Sequence, residues 1–166
     1  MAAKTGTYTL IASNTLSSIT TEITFSSIPA TYTDLVVVVN YKANNGAKYL
    51  TMRLNGDTGT NYSRTEIFAT DTAITNQRLA NENYAYINSV NAPTGTWATF
   101  IINLNDYSNT TTYKTILSRA NSSTNVGMNA NLWRSTAAIN AIFITALGSG
   151  YDIGSTFRIY GIEAAK

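Results

Sequence analysis

The chain has 166 residues, of which 44% are apolar and only 12% charged, and its 11 basic and 9 acidic side chains leave a net charge of +2. That length fits one domain able to enclose a core, and a charged share far below the usual ~25% leaves neutral Thr, Asn and Ser to cover the surface. A near-neutral balance without a basic stripe argues against a nucleic-acid partner, and the absence of Cys and His excludes disulfides, Cys/His zinc sites, the Ser–His–Asp triad and a Cys–His nucleophile.

Residues 1–7 (Met1, Ala2, Ala3, Lys4, Thr5, Gly6 and Thr7) are mostly small or polar and carry no core pattern. They read as an N-terminal arm able to add to a neighbour's sheet edge. With one lysine and no apolar stretch, residues 1–13 do not read as a secretory leader. Residues 8–166 read as one β-sandwich domain. A first strand is expected over 7–11. Ile19, Thr21, Ile23 and Phe25 then alternate with their neighbours at the period of a half-buried strand. Residues 35–41 form a β-branched run that predicts a strand buried on both faces or in the centre of a sandwich. Leu50, Met52 and Leu54 alternate next, and Asn55-Gly56 supplies turn chemistry.

Residues 62–78 have the weakest pattern and fit a short helix or an edge strand. Further strands are expected over 83–90, 97–104, 113–119, 126–133, 139–147 and 156–162, roughly ten in all. Gly, Asn, Asp and Pro cluster between them, where tight turns need positive φ or a fixed one. The prediction is an all-β fold, a single β-sandwich of jelly-roll type. Its core should contain Ile23 and Phe25; Leu35, Val37 and Val39; Leu50, Met52 and Leu54; Ile102 and Leu104; Ile116; Val126 and Leu132; Ile142 and Ile144; and Phe157 and Ile159. The longest aliphatic stretch, 35–39, falls far short of the ~20 residues that span a bilayer, so no membrane partner is expected.

Few residues carry candidate chemistry. Asp57-Thr58-Gly59 matches the short motif of aspartic proteases, which need two such carboxylates sharing a proton. The preceding Asn55-Gly56 favours a turn instead. Glycoside hydrolysis needs two facing carboxylates. Asp57, Asp71, Asp106 and Asp152 sit at turns, however, while Glu22, Glu66 and Glu82 lie nearer strands with nothing to pair them. No spaced acidic loop of the EF-hand kind is present, so no metal, catalytic residue or cofactor is assigned. The 11 Tyr residues suit cross-strand packing first and a contact surface second.

Several phrases occur together in order. Tyr8-Thr9-Leu10-Ile11-Ala12-Ser13 and Ser26-Ser27-Ile28-Pro29-Ala30-Thr31-Tyr32-Thr33-Asp34-Leu35 open the chain, and Leu54-Asn55-Gly56-Asp57-Thr58-Gly59-Thr60-Asn61-Tyr62-Ser63 follows. Thr112-Tyr113-Lys114-Thr115-Ile116-Leu117-Ser118-Arg119, Leu132-Trp133-Arg134-Ser135-Thr136 and Gly154-Ser155-Thr156-Phe157-Arg158-Ile159-Tyr160-Gly161-Ile162 come later. The set resembles a family of tailed-bacteriophage virion structural proteins and covers nearly the whole chain apart from 84–99. In that family the module stands alone, resembling a head decoration (cement) protein that is commonly trimeric, or lies within tail-fibre-like proteins. No catalytic residues attach to these motifs.

The resemblance implies a non-enzymatic virion protein, made in the host bacterial cytoplasm. It would self-associate, as a trimer, and clamp the major capsid protein of the shell. The alternative is a tail, fibre or baseplate appendage that contacts the host surface, including its carbohydrate. A hydrolase ranks third. Trp133 lies either in the core or outside, and outside it would anchor an interface.

Overall fold

In the computed structural model, residues 7–45, 49–70, 72–87, 92–148 and 150–163 are described. They contain twelve β-strands and no helix: β1 (Tyr8–Thr15), β2 (Glu22–Phe25), β3 (Asp34–Lys42), β4 (Leu50–Leu54), β5 (Tyr62–Thr70), β6 (Ala73–Glu82), β7 (Ala85–Tyr86), β8 (Trp97–Leu104), β9 (Lys114–Asn121), β10 (Asn125–Trp133), β11 (Ile142–Ala146) and β12 (Thr156–Ile162). The all-β expectation holds.

Eight strands form one sheet in the order β1-β12-β3-β8-β9-β10-β5-β6, and four form the second in the order β2-β11-β4-β7. All pairs are antiparallel. The pairs β1·β12, β2·β11, β3·β8 and β4·β7 nest within one another and alternate between the sheets, as when one long antiparallel ribbon winds over itself. The hairpins β5–β6 and β9–β10 are added to this ribbon and double the width of the larger sheet.

β3 shows why the apolar run becomes a central strand. Its Val36-Val37-Val38-Val39 stretch lies between β12 and β8, with Val37 opposite Ile159 on one side and Ile102 on the other. Leu35, Val37 and Val39 are fully buried, as are Phe100, Ile102 and Leu104 of β8 and Phe157 and Ile159 of β12. β-branched side chains at this density fit a pleated surface covered by a second sheet. That cover comes from Ile23, Phe25, Leu50, Met52, Leu54, Ile142 and Ile144, all buried. Tyr107, in the loop after β8, is also buried; its hydroxyl donates to the Pro29 carbonyl and fixes the bend that leads into β3.

One sequence expectation needs correction and two are settled. For the weak segment 62–78 the edge-strand alternative holds and the helix does not: it belongs to two long paired strands, β5 and β6, and β6 forms the edge of the large sheet. Nearly all of β6 is exposed on both faces, so no apolar alternation could mark it. Val126 is 60% exposed and Leu132 is only half-buried, because β10 turns Gly127, Asn129, Asn131 and Trp133 inward instead. Asn55-Gly56 does form a tight turn with φ of 54° and 71°, closed by Asp57 N–H donating to Leu54 C=O at 3.0 Å. The turn carries the chain from the small sheet to the large one.

A polar cleft on the inner face of the large sheet

The inner face of the large sheet changes character halfway across. From β12 to β8 it presents Phe, Ile, Leu and Val, whereas β9, β10 and β5 add to Ile116, Trp133 and Tyr62 a buried polar set: Ser118, then Asn129 and Asn131, then Arg64 and Glu66. All five polar residues are buried. Strand register brings them together: Asn129 lies opposite both Ser118 and Glu66, and Asn131 lies opposite Arg64.

Part of this polar surface is covered by the short strand β7. Ser118 Oγ donates to Ile87 C=O at 2.6 Å, and Asn131 Nδ2 donates to Tyr86 C=O at 2.7 Å. Ile87 N–H in turn donates to Leu50 C=O at 2.9 Å. The polar side chains of one sheet thus satisfy a backbone segment of the other, as buried polar groups require. Asn131 Oδ1, buried beside them, has no hydrogen-bond partner among the described residues.

Beyond β7 the sheets no longer meet, and a cleft of about 410 Å³ remains. Arg64, Glu66 and Phe68 of β5, Thr75 and Gln77 of β6, and Tyr49 before β4 line it. Arg64 is held from three sides. Its guanidinium stacks on the Tyr86 ring at 3.5 Å, its Nη2 donates to Gln77 Oε1 at 3.2 Å, and its Nε lies 3.5 Å from Glu66 Oε2 without a hydrogen bond. Cation–π contact and a carboxylate together stabilise the guanidinium of a side chain that is only 7% exposed. Tyr49, Tyr86 and Tyr84 continue as an edge-to-face ladder, with centroids 5.4 Å and 4.9 Å apart. Arg53 lies over Tyr84 at 5.7 Å. Burial, then the hydrogen bond with Tyr84, pushes the Tyr86 hydroxyl up to about 12.

Of the residues singled out from sequence, Glu66 lies in this cleft, and Asp57, Trp133, Asp106, Asp152 and Glu22 fall elsewhere. Burial disfavours ionisation of Asp57, but donors from Trp133 Nε1 (2.7 Å), Asn61 Nδ2 (2.9 Å) and Gly59 N–H (2.8 Å) outweigh it and hold the carboxyl below its ordinary value. This is a turn acceptor that ties the Asp57-Thr58-Gly59 loop to β10. Trp133 itself is 2% exposed and stacked on Tyr62, so the ring lies in the core and presents no face to a partner. Asp106 accepts from Asn109 Nδ2, and Asp152 pairs with Lys42 at 2.9 Å, which lowers its pKa. Glu22 accepts from Thr145 Oγ1. Among the described residues no three acidic side chains converge as a metal site. Thr7 is exposed, and residues 1–6 of the arm, like Asp71, lie outside the described residues.

Sequence reading missed the Arg64 cluster. Its signal is the same-face series Tyr62, Arg64, Glu66 and Phe68, a charged pair set between aromatics at the period of a strand.

The outer face of the same strands is apolar. Met128 lies opposite Ile67, and Ala69 lies opposite both Val126 and Ile74. Ile74 is 74% exposed, and these side chains line a shallow hollow of about 210 Å³ beside the open β6 edge. Exposed apolar groups gathered in this way mark contact surfaces more often than isolated ones do.

No known family model matches the chain, and no curated protein matches it either. Among solved structures, an alginate lyase determined with an alginate tetrasaccharide is similar at 9% identity over 81% of this chain and 72% of that one, with a TM-score of 0.34. A protein of unknown function from Shewanella oneidensis is similar at 9% identity over 98% and 78% of the two chains, with a TM-score of 0.29. Likenesses this distant say nothing of activity.

Proposed function

We propose that the chain is a non-enzymatic structural protein of a tailed-phage particle, a decoration (cement) protein that seats on the head shell and reinforces it. The observation that carries this reading is the outer face of β10, β5 and β6, where Ile67, Ile74, Val126 and Met128 stand exposed beside an open strand edge. Such a face gains free energy by leaving water, and an open edge offers backbone hydrogen bonds to a neighbouring strand. The expected partners are the major capsid protein and further copies of this chain, as a trimer. The resemblance of the ordered phrases to phage virion proteins supports the same assignment, and the commitment of Asp57 to three donors supports a role without catalysis.

A protein that binds only the closed shell stabilises it by mass action. Particles assembled without this chain should therefore release their DNA at a lower temperature or after a milder osmotic shock. Depleted heads that hold their DNA as well as complete ones would overturn the assignment. Loss of adsorption to host cells would favour the second reading, a tail, fibre or baseplate appendage. The polar cleft beside Tyr49 favours that reading.

A further inference from the structure

Charged and amide side chains occupy inward positions of β5 and β10, where β12, β3 and β8 of the same sheet place Val, Ile and Phe. Burying polar groups there costs stability relative to an apolar filling, and departures of this kind concentrate at functional sites. We propose that the cleft between Tyr49 and the inner face of β5 and β6 binds a neutral sugar residue of a glycan chain.

The chemistry of the lining selects this ligand class. Arg64 and Glu66 are paired, so their charges offset one another inside the cleft. An anionic ligand would face the Glu66 carboxylate beside the guanidinium it sought, and a cation would face the guanidinium. A neutral ligand that both donates and accepts avoids each conflict. Sugar hydroxyls do both, and the lining offers a donor in Arg64 and both donors and acceptors on Gln77 and Thr75. Arg64 lines the cleft, and Gln77 is the hydrogen-bond partner of its guanidinium among the described residues.

The second requirement is an apolar wall, because one face of a pyranose ring consists largely of C–H groups. Tyr49 supplies it at the cleft mouth: the residue is 42% exposed, and contact with Tyr86 at 5.4 Å fixes the orientation of its ring. A rigid aromatic gives large contact area at small entropic cost. Phe68 extends this wall inward. The volume lies in the range of about 300–1,000 Å³ usual for small-molecule sites. One side is open to solvent along β6, so the rest of a chain can run out of it. The inference does not depend on where in a particle the chain sits, and it gives the host-surface reading a ligand class.

The experiment is titration of the intact protein with neutral hexasaccharides of gluco, galacto and manno configuration and with a hexa-uronate, followed by calorimetry and by saturation-transfer NMR. At least one neutral hexasaccharide should bind, and Tyr49→Ala and Gln77→Ala should each weaken it by about tenfold or more. Both side chains are solvent-exposed, and a cooperative thermal transition well above the titration temperature in either variant separates lost binding from lost folding, although loss of the Gln77 hydrogen bond to Arg64 should lower it somewhat. Silence across the neutral panel, binding of the uronate alone, or neutral binding unchanged in both variants would each overturn the proposal. The DNA-retention assay reads a different surface, so failure here leaves its outcome unaltered.

Discussion

Two halves of one sheet face, β12-β3-β8 and β9-β10-β5, share backbone geometry and differ in almost everything else. The first buries Val37, Ile102 and Ile159 in a common row, and its stability comes from apolar area removed from water. The second buries Ser118, Asn129, Asn131, Arg64 and Glu66, and is held by hydrogen bonds to β7, an ion pair and a stacked guanidinium. The difference follows from strand number. The small sheet has four strands against eight, and its last strand, β7, is only two residues long. Where a full strand covers the face, apolar residues fill the gap; where only β7 crosses, its backbone needs polar partners, and past it the surface is open to a ligand.

The largest effect should come from forcing the apolar half to behave like the polar one. Val37→Asp places a carboxylate between Ile159 and Ile102, where no cation is available, at a cost of several kcal/mol. The variant should fail to fold, read as loss of the near-UV circular dichroism of the buried aromatics. A folded Val37→Asp protein would mean that this half is less tightly closed than the burial indicates.

In the polar half, Arg64→Met should be nearly as damaging, by about 3–5 kcal/mol in urea unfolding, because Glu66 is then buried without its cation. A cost below about 1 kcal/mol, the level of an exposed ion pair, would show that water reaches Glu66 freely.

The legibility of the sequence divides along the same line. In the apolar half, 97–104 and 156–162 were expected as strands and are strands β8 and β12, and the inward residues alternate as physics requires. In the polar half that logic inverts: β10 places Asn129 and Asn131 inside while Val126 and Met128 point outward, so hydrophobic alternation assigns the wrong face. β6 gives no alternation at all because neither of its faces is covered. The site was invisible for a related reason. Glu66 stood out as a carboxylate near a strand, but its partner Arg64 is two residues away, and only a strand register shows that both face Gln77 and Tyr86.

A smaller effect probes an imperfection in the apolar half. The Tyr41 hydroxyl is buried with no hydrogen-bond partner among the described residues, and burial pushes its pKa up to about 12. Tyr41→Phe removes that unsatisfied group and should leave the protein unchanged or more stable by up to about 1 kcal/mol at neutral pH. In the parent, the unfolded chain ionises at this position near pH 10 while the folded chain stays neutral until about pH 12. Its stability is therefore complete below pH 10 and falls between the two values, by about 2–3 kcal/mol. Urea unfolding across that window should show a shallower decline for Tyr41→Phe, and parallel declines would mean that water reaches the hydroxyl.

The most direct test of the comparison is to give the polar half an apolar filling. Replacing the pair together, Arg64→Met with Glu66→Leu, removes both buried charges and leaves neither uncompensated. Such replacements are often neutral or stabilising, by about 1–4 kcal/mol. If the pair is kept for binding at the expense of stability, the double variant should melt at or above the parent temperature and lose the neutral hexasaccharide. A double variant that is destabilised by several kcal/mol, or one that binds the sugar as the parent does, would contradict that reading of the polar half.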